Sequence, residues 1–169
     1  ALLLNIIQKN PVSYAVLPRD TRKHPINDMT ESEQKIILNY AKKSRHYPMY
    51  EIALFTGMRS GELRGLQWSD IDFERNIIHV THSLLYLNHG YQLGETKTPN
   101  SVRDIPMLQN VKILFKQQRH QQLFERQHMG AGWNPGAGFE NLVFTNITGT
   151  PINRARFKKG IDRIVTEIQ

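Results

Sequence analysis

From Thr56 to Asp72 the chain reads Thr-Gly-Met-Arg-Ser-Gly-Glu-Leu-Arg-Gly-Leu-Gln-Trp-Ser-Asp-Ile-Asp, and these residue types suit phosphate chemistry. The pair Thr56-Gly57 breaks one helix, and another restarts near Ser60, so Arg59 stands at a helix mouth. Glu62 follows one turn on and can brace a guanidinium. Leu63, Leu66 and Trp68 anchor the segment in a core. A guanidinium supported in this way offers a phosphate a rigid bidentate fork and a permanent charge. The same residues also fit an ordinary solvated pair three positions apart on a helix, and spacing alone does not separate the two.

The elements that must hold this segment follow from periodicity and punctuation. Thr30-Glu31-Ser32-Glu33 is a capping box, in which Thr30 takes the Glu33 N–H and Glu33 reaches back to Thr30. Ile36, Ile37, Tyr40 and Ala41 follow at helical spacing. A second helix is expected from about Pro48, with Tyr50, Ala53, Leu54 and Phe55 on its buried side. The β-branched run over residues 77–81 predicts a strand. Asn88-His89-Gly90 predicts a turn, and residues 91–95 and 101–105 predict two further strands joined around Thr98-Pro99-Asn100. A long helix is expected over residues 108–129. Val111, Leu114, Phe115, Gln118 and Leu123 should lie on its inner face, and Lys112, Lys116, Arg119 and Arg126 on its outer one. After a glycine-rich loop at 130–138, Leu142-Val143-Phe144 is a buried segment. A last helix from about Asn153 is expected to bury Phe157, Ile161 and Ile164. The fold class is therefore α+β, mostly helical, with a three-stranded antiparallel sheet.

Upstream, residues 1–10 read as the end of a helix stopped by Asn10-Pro11. Residues 11–29 carry Pro11, Pro18 and Pro25 with Arg19, Arg22, Lys23 and His24, and read as a basic linker between domains. The 169 residues include 22 Lys and Arg against 15 Asp and Glu, a net charge of +7, which suits a polyanionic partner. The chain has no cysteine, which excludes a disulfide framework and thiolate metal sites and fits a reducing compartment. No apolar run approaches the roughly 20 residues of a membrane helix. The glycine-rich loop lacks the Gly-Lys-Ser/Thr ending of a phosphate-binding loop. His120 and His128 stand about 12 Å apart along a helix, too far to share a metal.

The segment from Thr56 to Asp72 resembles the first box of the tyrosine recombinases, the phage-integrase family: Thr-Gly-apolar-Arg, then Glu-Leu, Leu, Trp and Asp-Ile-Asp. Thr96-Lys97-Thr98 through Ser101, Arg103 and Ile105-Pro106 is similar to the family's β-hairpin, and Phe144 to Pro151 to the segment leading into its next helix. The resemblance covers residues 30–169 as the N-terminal part of a catalytic domain, and makes residues 1–10 a remnant of an upstream core-binding domain. It implies site-specific strand exchange in double-stranded DNA through a 3′-phosphotyrosyl intermediate, with no metal and no other cofactor. It further implies Arg59 as a phosphate-binding arginine, Lys97 as the general acid and Glu62 as support. Taken alone, Lys97 is equally a solvated turn lysine. Arg19, Arg22, Lys23 and Arg103 are the expected DNA contacts. Partner subunits in a synaptic tetramer and a bacterial cytoplasmic location are also expected. The family's His-x-x-Arg box and nucleophilic tyrosine are not found among these residues, so this chain by itself is expected to be inactive. The alternative is a DNA-binding module without catalysis.

Overall fold

A computed structural model describes residues 29–87, 90–95 and 102–166. The helix and linker expected over residues 1–28, with Arg19, Arg22 and Lys23, lie outside the described residues, as do Asn88-His89 of the expected turn and Lys97.

Helix α1 spans Glu31–Ala41 and begins at the capping box read from the sequence: the Glu33 N–H donates to Thr30 Oγ1 at 3.3 Å, and the Thr30 N–H donates to Glu33 Oε2 at 2.7 Å. Helix α2, Tyr47–Thr56, carries Pro48 in its first turn and ends at Gly57, whose φ of 62° is the left-handed conformation that glycine adopts most easily. Its buried face keeps Tyr50 of the expected set and otherwise differs from it. Pro48, Met49, Tyr50 and Ile52 are buried, whereas Leu54 and Phe55 are 40% and 45% exposed. The helix is apolar nearly all round, so periodicity alone cannot select a face.

Helix α3, Ser60–Gly65, follows at once, and a 3-10 turn at Trp68–Asp70 leads into the strands. A three-stranded antiparallel sheet forms, but its membership is not the expected one. It consists of β1 (Ile71–Asp72), β2 (Ile77–Val80) and β5 (Arg103–Pro106), in the order β1-β2-β5. Among the described residues, strands β3 (His82–Leu87) and β4 (Gly90–Glu95) pair with each other alone, as a separate two-stranded ladder. The expected strand at 91–95 thus belongs to a hairpin inserted between β2 and β5.

Helix α4, Gln109–Met129, buries Val111, Leu114, Phe115, Gln118 and Glu125, while Leu123, expected inside, is 51% exposed. Polar residues take its place because they find partners. Gln122 accepts from Trp68 Nε1 at 2.8 Å and donates to the Leu142 carbonyl at 2.8 Å, and Glu125 receives the Arg45 guanidinium. Helix α5, Arg154–Thr166, buries Phe157 and Ile164 but leaves Ile161 37% exposed. The core joins α2, α4, α5 and the sheet around Met49, Ile52, Leu63, Ile78, Phe115, Val143 and Phe144. No helix among the described residues is long and apolar enough to cross a membrane.

Candidate active site

The site is organised on Glu62. Because Gly57 ends α2 and α3 begins at Ser60, Arg59 lies in extended backbone (φ −65°, ψ 149°) between two helices. Its N–H donates to Glu62 Oε2 at 2.9 Å, and its side-chain Nη1 donates to Glu62 Oε1 at 2.9 Å. The Glu62 side chain is 3% exposed, whereas that of Arg59 is 72% exposed. The guanidinium is therefore tethered at one edge and open to solvent elsewhere, the geometry required of an arginine that receives a phosphate.

A second arginine reaches the same carboxylate. Arg103 of β5 donates through Nη1 to Glu62 Oε1 at 3.2 Å and through Nη2 to Oε2 at 2.9 Å. The strand register explains this placement. Arg103 pairs with Val80 and, with Ile105, turns inward, while Asp104 turns away and pairs with His79 across the sheet at 2.7 Å. Burial pushes the Glu62 carboxyl up, but the Arg103 hydrogen bonds, the Arg59 N–H and the Arg59 side chain outweigh it. The group is held at about 2 and is a carboxylate at any ordinary pH.

Helix α3 is seated by two glycines and a buried arginine. A Cβ on Gly65 would stand 2.6 Å from the Leu84 backbone nitrogen, and one on Gly61 would stand 2.5 Å from Ser83 Oγ, so β3 lies against bare backbone. Arg64, 5% exposed, donates to the carbonyls of Ser60, Ile152 and Leu84 at 3.0, 3.0 and 3.4 Å. It binds α3 to β3 and to the segment before α5. Neither feature was read from the sequence, because an arginine or glycine in a short helix carries no periodic signal. Trp68, an expected anchor, packs edge-on against Phe115 at 6.5 Å, with the Arg119 guanidinium 5.5 Å from its ring.

The predicted pair Arg59 and Glu62 is thus in contact, and Arg103, expected as a DNA contact, joins it. Lys97 belongs to the segment between β4 and β5 and lies outside the described residues. Among the described residues no three His, Asp or Glu side chains converge as metal ligands would. Among the described residues, Tyr47, Tyr50, Tyr86 and Tyr91 are engaged elsewhere. Burial and a hydrogen bond with Glu51 push Tyr47 up to about 12. Tyr50 packs on Phe157 at 5.6 Å, and Tyr86 meets Tyr91 edge-on at 5.3 Å.

Comparison with known proteins gives this geometry a context. The model of the phage integrase family matches residues 27–169. A tyrosine recombinase XerC-like protein of Caldanaerobacter subterraneus subsp. tengcongensis is 28% identical over 157 residues, 88% of this chain and 40% of the relative. The transposase of transposon Tn916 from Enterococcus faecalis is 34% identical over 118 residues, 65% of this chain and 29% of the relative. The chain therefore spans less than half the length of these curated relatives. Among solved structures, the Tn1549 transposon integrase in complex with circular intermediate DNA superposes with a TM-score of 0.72. It shares 29% identity, over 86% of this chain and 47% of that one.

Proposed function

The chain belongs to the phage integrase family, and from that premise we propose that the intact protein performs site-specific DNA strand exchange, integrating or excising a mobile element. In this reading a tyrosine hydroxyl attacks a backbone phosphorus and loses its proton to a general base. The phosphorus–oxygen bond to the 5′ side breaks, and a 3′-phosphotyrosyl bond forms. Arg59 binds the non-bridging oxygens and offsets the charge that grows on them. Lys97 protonates the leaving oxygen. Arg19, Arg22 and Lys23 contact the backbone, and several subunits assemble on DNA as a tetramer. We assign residues 30–169 to the first part of the catalytic domain, 11–29 to a linker and 1–10 to an upstream domain. A bacterial cytoplasmic setting fits a DNA substrate and the bacterial sources of the relatives.

The observation that carries the proposal is the exposed Arg59 guanidinium anchored on a buried Glu62 that is ionised at any ordinary pH. A solvated surface pair needs no such burial. We assign the nucleophile outside these 169 residues, because none of the six tyrosines stands in the sequence context of the family's nucleophile. The test is a nicked suicide duplex carrying the end of the encoding element. The full-length protein should form a covalent adduct that survives denaturation, and both an Arg59→Ala variant and the 169-residue chain should form none. A full-length protein that binds this duplex without ever forming an adduct would be a binding module, and the proposal would fail.

A further inference from the structure

Arg103 is a basic residue beside the hairpin and, as such, a candidate phosphate ligand. In the structure its fork faces inward and grips Glu62 instead. We propose that Arg103 is a positioning residue for strand cleavage, orienting the Glu62 carboxylate and through it the Arg59 guanidinium, and is not a phosphate ligand. This inference rests on the recombinase reading above.

Three observations carry it. First, Glu62 receives four N–H donors. Oε1 accepts from Arg59 Nη1 at 2.9 Å and Arg103 Nη1 at 3.2 Å, and Oε2 accepts from the Arg59 backbone at 2.9 Å and Arg103 Nη2 at 2.9 Å. A carboxylate has about four acceptor sites, so this set saturates it. Second, the two arginines differ in exposure: the Arg59 side chain is 72% exposed and that of Arg103 is 32% exposed. The open guanidinium is the one with room for a phosphate. Third, the Arg103 contact is bidentate and comes from a different element. Arg59 meets Glu62 within a single turn, through its backbone N–H and one side-chain nitrogen. The fork from β5 holds both oxygens with one planar guanidinium from a separate element, which adds to the hold on the carboxylate plane.

A consequence is that Glu62 joins α3 to the strand that follows the Lys97 segment.

The test uses the full-length protein on the nicked suicide duplex, with the adduct-formation rate at saturating DNA, Kd and the salt dependence of Kd measured together. R103M is expected to slow adduct formation by about 100-fold, with Kd and the log–log salt slope unchanged. R103K should recover part of the rate, since an ammonium can hold one oxygen but not both. Placing R103M in an E62Q background should slow the reaction little further, because both changes act through one carboxylate. A salt slope shallower by about 0.9 with weaker binding would mark Arg103 as a phosphate ligand and overturn the proposal. So would a wild-type rate in R103M, or effects that multiply in the E62Q background. If R103M loses its cooperative thermal transition, R103K alone decides: a slower rate at unchanged Kd supports the proposal and a wild-type rate refutes it. One readout is independent of cleavage. On adding the duplex, the Arg59 side-chain 15Nε resonance should shift and that of Arg103 should not; equal shifts would overturn the proposal. A wild-type protein that makes no adduct would sink the recombinase reading, and the NMR comparison would still judge Arg103.

Discussion

At the scale of single residues, two ionisable groups are held far from their ordinary state, in ways that pH can read. Glu62 sits at about 2 in the folded chain against 4.5 ordinarily. Its contribution is complete above about pH 4.5 and is lost as pH falls towards 2, where the folded state too takes up the proton. Replacing it by glutamine leaves two guanidinium groups without their counter-charge. Urea denaturation at pH 7 should show E62Q less stable by about 3 kcal/mol, with the difference shrinking below pH 4. His46 acts in the same sense, in a higher pH window. Burial, and then the neighbouring Arg45 charge, lower it from 6.5 to about 4. The unfolded chain therefore takes up a proton first, and stability falls as pH drops from about 6.5 to about 4. His46→Gln should flatten that part of the melting-temperature profile, and an unchanged profile would show that His46 titrates normally.

At the scale of elements, the site depends on how closely α3 approaches β3. Gly65→Ala would drive a methyl group into the Leu84 nitrogen and the Ser83 carbonyl carbon, at 2.6 and 3.0 Å. Neither is a side chain that can turn aside, so a loss of about 1–3 kcal/mol is expected in chemical denaturation. Because α3 carries Glu62, DNA cleavage should fall along with stability. Wild-type stability in this variant would mean that α3 and β3 are not in contact. The N-terminus of α1 allows a milder test. Thr30→Ala removes the cap that Glu33 completes and should cost about 1 kcal/mol without changing DNA cleavage, since the box lies on a separate helix. These elements also show what was legible. The α1 cap is a local four-residue pattern and was read correctly. The face of α2 was misread, because Leu54 and Phe55 are as apolar as the Met49 and Ile52 that are buried instead.

At the scale of the whole molecule, the proposed function makes the excess of positive charge the driver of association with DNA. With a net charge of +7, binding to duplex DNA should weaken steeply with salt, by a log–log slope of about −0.9 for each phosphate neutralised. A slope near zero in a fluorescence titration would remove the electrostatic account of binding. The exposed Arg59 guanidinium should contribute about one contact to that slope, so R59A should lower it accordingly.

The sequence by itself determined what depends on neighbours along the chain: the cap at Thr30, the helix break at Gly57, the pairing of Arg59 with Glu62, and the order of boxes by which the family was recognised. It also determined that helices would dominate and that strands would lie near residues 77–81 and 101–105, where the structure has them at 77–80 and 103–106. The tertiary structure decided what depends on residues distant in sequence. It separated the β3–β4 hairpin from the main sheet, because β2 ends at Val80 and the chain then turns to pack on α3. It turned Gln122 and Glu125 inward in place of Leu123, because their partners Trp68 and Arg45 come from other elements. It brought Arg103, 41 positions further along the chain, onto the carboxylate that holds Arg59. A buried carboxylate gains most from donors that rigid, separate elements deliver, and no local spacing encodes such an encounter.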